Sequence, residues 1–500
     1  MKHKKIFSVI VILFSILIQS QKSFSQTAGD SVFSSSQIHT IYLQFSQTGW
    51  WDSLLASHTG DYYINGDAII DGQTFNNIGV KLKGNSSFNN PSIKKSLKID
   101  FNNYDTTLAW NGLKKINLNN GFKDPTFLRE KVCLDFMNTH GVYSPRCTFA
   151  NVYLNGQLRG LYTLVEEVDK TFLKDRFSNK SGNLFKGDPH GDLKYLGANV
   201  TSYYPNYELH TNETANDWND LVNLISILNN TPAASLESSL GNVFDLPSWY
   251  PLWASNILFA NLDSYQGSGH NYFIYHNAAN DQFEFIAWDV NEAFGNFQQG
   301  MTLTQIKNLS PDYLPSPSGN RPLEEKLVAD ANMHADYYDA LYFMLANGFD
   351  TTSLFPLIDS LADWIRPSVY ADNNKFFTSI DFEKNMTQDV GNIPALKPFI
   401  PARINAVLPV LLGAGYFPLS ADEIYDGVSS SFQLFPNPSV DYAYVTGEGK
   451  DFDLFSVEGK WLKKISSAGT ITKISLEEYS SGIYLVKNDK GEVQRLVVLR

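Results

Sequence analysis

The chain has 500 residues, of which 43% are hydrophobic and 14% aromatic, and it carries a formal net charge of −13. This length and composition predict more than one folding unit around a large buried core, and they exclude a chain that is mostly disordered. The acidic balance argues against nucleic-acid binding, because neutralising phosphates requires clustered lysine and arginine.

The amino terminus has the pattern of a secretory signal peptide. A basic stretch at residues 2–5 precedes an apolar run at residues 6–18, and small residues lie before Gln26. The apolar run is shorter than the ~20 residues that cross a bilayer, so a membrane anchor is the less favoured alternative. We predict that residues 1–25 are removed on export and that the mature chain has no transmembrane segment.

Cysteine is scarce, since the chain contains only Cys133 and Cys147. Two cysteines exclude a disulfide framework and a cysteine-rich zinc site. An exported chain can form a single bridge, but Cys133 lies in a helical pattern and Cys147 at the start of a predicted strand. The sequence therefore leaves this bridge open.

The first third of the chain is predicted to form a small β-rich lobe with one helix packed on it. Strand patterns separated by polar turns cover residues 38–45, 62–70, 79–82 and 96–101. Asp124 and Pro125 are typical of a helix N-cap and first helical position. A hairpin is predicted around Asn155-Gly156, and its return strand leads to Glu166.

The next part of the chain is predicted to be a larger, mostly helical lobe. Helical periodicity covers residues 218–228, 249–262, 323–345 and 354–369. Within this lobe, residues 273–276 and 283–286 alternate like strands around a polar turn, which predicts an antiparallel hairpin. Its outer ends bring Asn271 and Asp289 together, with Asp263 a few residues upstream.

This cluster of oxygen-bearing side chains has the character of a divalent-metal site for phosphoryl transfer. Asn271 and Asp289 are candidate Mg²⁺ or Mn²⁺ ligands, because hard cations prefer oxygen donors. Asn291 can supply a further oxygen but no charge. Asp263 is the candidate base for an accepting hydroxyl. Taken singly, each residue also fits a turn or cap.

Phosphate oxygens need a loop and a cation, and the β-rich lobe offers candidates for both. The loop Lys83-Gly84-Asn85-Ser86-Ser87 follows a strand and can present backbone N–H groups and hydroxyls, although it also fits an ordinary turn. Lys98 is the candidate phosphate-binding lysine and Lys95 its competitor. We predict that Glu166 pairs with Lys98, and that Glu167 and Asp169 belong to an exposed helix start.

The composition changes after about residue 416, where a polar linker over 416–430 leads into short strand patterns over 431–500. These strands predict a separate small sandwich. Pro436-Asn437-Pro438, Ser481-Gly482-Ile483-Tyr484 and a basic terminal Arg500 resemble the C-terminal sorting domain of type IX secretion cargo. That resemblance implies passage through the periplasm and contact with the type IX machinery. It also implies release or attachment at the cell surface, the alternative being a generic β adhesion module.

Residues 37–415 resemble the CotH family, the atypical secreted kinases related to spore coat protein H. The motifs that carry the resemblance are Lys83-Gly84-Asn85-Ser86-Ser87, Lys94-Lys95-Ser96-Leu97-Lys98, Leu128-Arg129, Tyr153-Leu154-Asn155-Gly156, Gly160-Leu161-Tyr162, Glu166 with Asp169, His270-Asn271-Tyr272, and Trp288-Asp289 through Phe294-Gly295. The resemblance implies Mg²⁺ and ATP as cofactors and phosphorylation of Ser or Thr in coat or surface proteins. One departure is Asn291, where the family commonly has a second aspartate.

The expected fold is therefore α+β: a protein-kinase-like, two-lobed fold with a small β-rich lobe and a mostly α larger lobe, followed by a small all-β sandwich. The first functional hypothesis is a secreted Ser/Thr protein kinase that acts on exported or surface proteins. Because ATP is scarce outside the cytoplasm, the second is a catalytically inactive surface binding or structural protein. The third is a metal-dependent hydrolase that uses Asp263 and Asp289.

Overall fold

The structure is a computed structural model. It describes residues 27–416, 432–435, 439, 442–447, 451–456, 460–466, 471–476, 478–480, 482–490 and 492–498. The predicted signal peptide, all but the first residue of the predicted linker, Pro436-Asn437-Pro438, Ser481 and Arg500 lie outside these residues.

Seven strands close into a barrel, in the order β1-β2-β3-β4-β5-β7-β6. The strands are β1 His39–Gln44, β2 Ile64–Ile70, β3 Gln73–Lys83, β4 Ser96–Asp100, β5 Lys115–Asn119, β6 Cys147–Leu154 and β7 Gln157–Glu166. The parallel pairing of β1 with β6 closes the barrel, while all other neighbours are antiparallel. The predicted β-rich lobe is confirmed, but its closure was not predicted.

The barrel interior is filled by apolar residues at alternate strand positions, as the period of two requires. Ile41, Val80, Ile99 and Leu118 are fully buried there. Four helices accompany these strands: α1 Asp30–Phe33, α2 Trp50–Gly60, α3 Ser86–Asn89 and α4 Arg129–Thr139.

The helix predicted from Asp124 begins later, because α4 starts at Arg129. Phe127 has a φ of 59°, which interrupts a right-handed helix. The Asp124 carboxylate instead accepts hydrogen bonds from the backbone N–H groups of Thr126 and Arg129, at 2.9 and 3.0 Å, and stabilises a turn.

Cys133 lies in α4 and Cys147 begins β6, and both are buried free thiols. The bridge that the sequence left open is therefore absent from the structure. Burial raises the pKa of both thiols well above the usual value, which keeps them protonated and unreactive.

The larger lobe combines helices with a second sheet of order β11-β10-β8-β9. Its strands are β8 Leu184–Gly187, β9 Tyr207–Leu209, β10 Tyr272–Asn277 and β11 Gln282–Ala287. Its helices are α5 Lys170–Phe177, α6 Asn219–Asn230, α7 Ala233–Gly241, α8 Leu246–Leu258, α9 Leu303–Lys307, α10 Pro322–Ala329, α11 Ala331–Ala346, α12 Thr351–Ala371, α13 Ser379–Lys384 and α14 Leu396–Gly413.

Two helix boundaries differ from the sequence prediction. The helix expected to reach Leu262 ends at Leu258, so Asp263 lies in a loop beyond it. The pattern over 323–345 is two helices, because Asp330 breaks it and caps α11 by accepting from the N–H groups of Asn332 and Met333.

Helix α14 alone among the described helices is long and apolar enough to span a membrane. A core helix of a folded domain passes the same test. In this structure α14 packs against α8, α11 and α12, and its Arg403 is fully buried. The contacts of α14 are those of a core helix.

Buried polar contacts join the two lobes. Lys94 Nζ lies 2.6 Å from Asp372 Oδ2, and both side chains are fully excluded from solvent. The same carboxylate oxygen accepts from the N–H of Leu161, at 3.1 Å. Nearby, the buried Arg129 guanidinium donates to Asn385 Oδ1, at 2.9 Å, and to the Pro394 carbonyl. The Asp372 contacts fix the end of α12 against β7 and the segment before β4, and the Arg129 contacts fix the start of α4 against the segment between α13 and α14.

Glu324 of α10 is completely buried, and neither of its oxygens has a hydrogen-bond partner in the described part of the chain. Burial raises the pKa of this carboxyl well above its usual value. Folded protein therefore keeps a proton that unfolded chain releases above pH ~4.5.

We expect Glu324→Gln to flatten the fall in stability as the pH rises above ~4.5, because wild type loses up to about 1.4 kcal/mol per pH unit through this one group until the pH reaches its raised pKa. Urea unfolding at several pH values measures the effect. Glu325→Gln is the matched control, since the pKa of Glu325 is lowered and both states are ionised in that range. Parallel curves for wild type and Glu324→Gln would contradict the prediction.

The C-terminal region forms a three-stranded sheet, β12-β13-β16, and a four-stranded sheet, β15-β14-β17-β18. The strands are β12 Phe432–Phe435, β13 Tyr442–Gly447, β14 Asp451–Ser456, β15 Trp461–Ser466, β16 Ile471–Ser475, β17 Gly482–Asn488 and β18 Val493–Val498. Residues of both sheets, among them Ala443, Leu454 and Leu496, share one core. The predicted all-β unit is confirmed, with β12 and β15 as additional strands.

Candidate functional site

Strands β3, β4 and β5 carry a polar row on the outer face of the barrel. Lys83 pairs in register with Ser96, and Lys98 with Asn117. Their chain neighbours Leu82, Leu97 and Leu118 point into the barrel core. Because side chains alternate along a strand, the lysines and asparagines must face outward, toward the larger lobe.

Lys98 forms its ion pair with Glu167, not with Glu166 as predicted. The distance from Lys98 Nζ to Glu167 Oε1 is 2.5 Å, and Asn117 Nδ2 donates to the other carboxylate oxygen at 2.7 Å. Burial opposes ionisation of Glu167, but Lys98 and Asn117 outweigh it and lower the pKa of the carboxyl to about 2.

The alternation of side chains explains why the Lys98–Glu166 prediction is wrong. Glu166 pairs in register with Ile116, whose side chain points into the barrel, so Glu166 faces away from Lys98. Its carboxylate binds Arg146 at 2.5 Å and Arg176 at 3.0 Å instead.

We expect a double-mutant cycle between Lys98→Met and Glu167→Gln to give a coupling energy of about 1–3 kcal/mol in the free energy of unfolding, because the two side chains share one buried network. Chemical denaturation of the four proteins measures it. The same cycle with Glu166→Gln is the matched control and should be additive. Additivity in the Glu167 cycle would show that the observed pair contributes nothing.

A second hydrogen-bonded chain on this face links Lys83 to an acid of α4. Lys83 Nζ donates to Asn119 Oδ1 at 3.0 Å, and Asn119 Nδ2 donates to Glu130 Oε1 and Oε2 at 2.9 and 3.0 Å. The asparagine thus bridges the lysine and the glutamate. The ammonium also lies 5.2 Å from the centre of the Trp288 ring.

Glu130 and Asp289 approach this lysine from the two lobes, and both line a narrow cleft of about 30 Å³ together with Lys83, Asn119 and Asn291. Burial and the charge of Asp289 raise the pKa of Glu130 to about 8. Burial raises the pKa of Asp289 as well, although the Lys83 charge opposes this. The same burial lowers the pKa of Lys83. The cleft therefore holds two acids that bind a proton more readily than ordinary carboxyls, because the positive charge nearby does not offset their burial.

The predicted hairpin is confirmed: β10 and β11 pair antiparallel with Tyr272 opposite Ala287. That register brings Asn271 and Asp289 to the same end of the hairpin. Both residues have positive φ, 57° and 51°, which a turn into and out of the strands requires. Asp289 lines the cleft, while Asn271 lines a small adjoining cavity with Asn261.

Asp263 occupies the loop between α8 and β10. Its carboxylate accepts from His270 Nε2 at 2.8 Å and from Ser268 Oγ at 3.2 Å. Its backbone carbonyl accepts from Asn271 Nδ2 at 2.9 Å. Burial disfavours a charged imidazole, but the bond to Asp263 outweighs burial and raises the pKa of His270.

The loop after β3 is built around Gly84, whose φ is 89° and where an added Cβ would lie 2.3 Å from Ser87 Oγ. Gly84 and Ser87 line the cleft, whereas Asn85 and Ser86 are not among its lining residues. Lys95 does not reach it either. Its ammonium donates to the Phe88 carbonyl at 2.6 Å and to the Asn90 carbonyl, so it supports the segment after the loop in place of the predicted phosphate contact.

No group of three His, Cys, Asp or Glu side chains that could hold a metal occurs among the described residues. The cleft nevertheless offers carboxylate oxygens from Asp289 and Glu130 and an amide oxygen from Asn291. This all-oxygen donor set, with two acids held close in a buried cleft, fits Mg²⁺ or Mn²⁺.

Asn119 and Glu130 of the cleft and Asn117 beside Lys98 were missed from the sequence, and Glu167, which pairs with Lys98, was assigned to an exposed helix start. A signal for the asparagines existed, since they alternate with Ile116 and Leu118 in one strand. Lys186 of β8 was also missed, and its charge favours ionised Asp289. For Glu130, no local pattern distinguishes it from an ordinary helical glutamate.

Two protein-family models match the chain. The model described as CotH kinase protein matches residues 80–407, about two thirds of the chain. The model described as secretion system C-terminal sorting domain matches residues 433–498.

Among curated proteins, inner spore coat protein H of Bacillus subtilis (strain 168) is 28% identical over 286 residues, which cover 56% of this chain and 75% of that protein. Invasin CotH2 of Rhizopus delemar is 24% identical over 44% of this chain and 38% of the invasin. Invasin CotH3 of the same organism is 21% identical over 50% of this chain and 43% of the invasin. The chain thus spans less than half the length of either invasin.

Among solved structures, the crystal structure of the Helicobacter pylori proinflammatory kinase CtkA aligns with 63% of this chain and 93% of that chain. The sequence identity is 14% and the TM-score is 0.31.

Proposed function

The chain belongs to the CotH kinase protein family, and from this premise we propose that it is a secreted atypical kinase. In this proposal the γ-phosphoryl group of ATP passes to Ser or Thr hydroxyls of exported or surface proteins. The observation that carries the proposal is the cleft between the lobes, where Lys83 lies among Glu130, Asp289 and Asn291. Catalysis of phosphoryl transfer depends mainly on positioning of the reactants and neutralisation of charge, which such a cleft can supply.

Lys83 and the Gly84 turn would bind the phosphate end of ATP. The Asn119 bond holds the Lys83 ammonium at the cleft without neutralising its charge, so the charge remains available to phosphate oxygens. Lys98 is already paired with Glu167, which makes Lys83 the stronger candidate for the phosphate-binding lysine.

Asp289 and Asn291, with Glu130 opposite, would hold the divalent cation. Asn271, which the sequence also predicted as a ligand, lines the adjoining cavity instead and donates its amide to the Asp263 carbonyl. Bound Mg²⁺ or Mn²⁺ would neutralise charge on the phosphate oxygens. The raised pKa values of Glu130 and Asp289 mean that protons compete with the cation for the same oxygens.

Asp263 would orient the accepting hydroxyl and take up its proton. The His270 and Ser268 bonds fix one oxygen of its carboxylate, Oδ1, and the Asn271 amide fixes its backbone. These three hydrogen bonds hold Asp263 in one orientation. Its other carboxylate oxygen therefore points in a fixed direction, as the orientation of a substrate hydroxyl requires.

A catalytically inactive surface protein is the second candidate, and Asn291 favours it. This residue lines the cleft but supplies no charge where the family commonly has an aspartate. ATP is also scarce outside the cytoplasm.

The decisive experiment incubates the mature chain with γ-labelled ATP and Mg²⁺ or Mn²⁺, alone and with exported proteins as acceptors. Label on Ser or Thr supports the kinase. Released phosphate without labelled protein identifies a hydrolase. If the chain binds nucleotide but yields neither labelled protein nor released phosphate, it is the inactive protein.

The sorting domain at residues 433–498 points to secretion and the cell surface. We propose that the type IX machinery recognises this domain, and that the substrate is therefore another exported or surface protein. A Ser/Thr-containing surface protein is the acceptor class that this location makes available.

A further inference from the structure

We infer that Arg321 is a positioning residue that fixes the loop from Asp263 to Asn271 by holding its backbone carbonyls. The catalytic consequence of this inference rests on the proposed kinase function, whereas the structural part does not. Arg321 precedes α10 and lies outside every motif that the sequence singled out.

The guanidinium of Arg321 spans the middle of the loop. Its Nε donates to the Tyr265 carbonyl, and one terminal nitrogen donates to the Gly267 carbonyl at 2.5 Å. The other terminal nitrogen donates to the carbonyl of Asn320 at 2.6 Å. Two loop carbonyls therefore converge on one planar group, which restricts the direction of both.

The loop is shaped to admit this side chain. At Gly269, with a φ of 76°, an added Cβ would lie 2.9 Å from a terminal nitrogen of Arg321. At Gly267, an added Cβ would lie 1.9 Å from the Leu262 carbonyl oxygen. Glycine at 269 therefore leaves room for Arg321 beside the backbone, and glycine at 267 lets the loop close on the Leu262 carbonyl.

The charge makes the contact strong. Arg321 is 7% exposed, and neither oxygen of the neighbouring buried Glu324 accepts a hydrogen bond from it in the described part of the chain. A buried cation without a carboxylate partner depends on the carbonyl dipoles around it. If the loop moved, the Arg321 cation would lose the carbonyl dipoles that stabilise it. The buried charge therefore opposes movement of the loop.

The two ends of the loop carry the proposed base and the residue beside the metal. Asp263 is at one end and Asn271 at the other, and the loop folds back so that Gly269 N–H donates to the Ser264 carbonyl at 2.9 Å. Holding Tyr265 and Gly267 in place thus sets the position of Asp263 without touching it.

The test compares Arg321→Met with Arg403→Met. Arg403 is the matched control, because it is also buried and donates to backbone carbonyls, those of Lys307, Leu309 and Ile257. Hydrogen–deuterium exchange is measured on peptides covering residues 262–272. In parallel, kcat, KM and the Kd for Mg²⁺·ATP are measured on the full mature chain.

We expect Arg321→Met to speed exchange of the loop amides about tenfold and to lower kcat by about ten- to a hundredfold, with the nucleotide Kd little changed. Arg403→Met should leave loop exchange as in wild type, whatever it does to overall stability. Unchanged loop exchange in Arg321→Met, or equal acceleration in Arg403→Met, would overturn the inference.

Arg321→Lys serves if the methionine variant does not fold, because it keeps the charge but not the planar fork, and it too should speed loop exchange. If wild type transfers no phosphate, the proposed function fails while the exchange comparison still decides whether Arg321 holds the loop.

Discussion

Replacing Asp372 by asparagine is expected to lower the free energy of unfolding by about 3–5 kcal/mol, since it leaves the buried Lys94 ammonium without its counter-charge. Lys94 already shows the cost of burial, which lowers its pKa to about 8 even with Asp372 beside it. Because the pair joins the two lobes, the loss should appear as reduced cooperativity between them. Urea unfolding followed by tryptophan fluorescence measures it.

The matched control is Asp359→Asn, which breaks the exposed Lys397–Asp359 pair and should cost far less, because solvent screens that pair. The double variant Lys94→Met/Asp372→Leu should recover much of the lost stability, since it removes both buried charges together. Equal losses in Asp372→Asn and Asp359→Asn would show that the buried pair does not stabilise the lobe junction.

Asp289→Asn is expected to reduce phosphoryl transfer about a thousandfold or more and to weaken binding of Mg²⁺·ATP, because it removes the carboxylate that faces Lys83 in the cleft. The thermal midpoint should stay near that of wild type. Burial already raises the pKa of this carboxyl, so the folded state gains little from its charge. Steady-state kinetics, calorimetry of nucleotide binding and thermal unfolding measure the three quantities.

Asp281→Asn is the control for this variant, because it alters the exposed turn at the other end of the same hairpin. Transfer by Asp289→Asn at the wild-type rate would remove Asp289 from the proposed site. A large drop in its thermal midpoint, with binding intact in the remaining folded protein, would assign it a structural role instead.

Much of the fold follows from local patterns that the structure retains. The β10–β11 hairpin, the strands of the small lobe and the C-terminal strands all show the alternation that the sequence displays. Closure of the barrel does not follow from such patterns. It depends on the parallel pairing of β1 with β6, two strands that lie more than 100 residues apart in the chain.

The site could be predicted only as far as neighbouring residues determine it. Asp263, Asn271 and Asp289 lie close in sequence to one hairpin, and the structure brings them to one end of it. To identify Glu167 and not Glu166 as the partner of Lys98, the register of β5 against β7 must be known. A shift of one residue along a strand moves a side chain to the opposite face of the sheet. Glu130 reaches the cleft through tertiary packing of α4, for which the sequence holds no periodic signal.

The closed barrel also bears on how this chain survives export. Within residues 39–166 each of the seven strands has a hydrogen-bonded neighbour on both sides, so the lobe offers no bare strand edge. Open edges recruit strands from other molecules and begin aggregation. Outside the cytoplasm, where ATP-driven chaperones do not operate, a lobe without such edges is protected from this route to aggregation by its own topology.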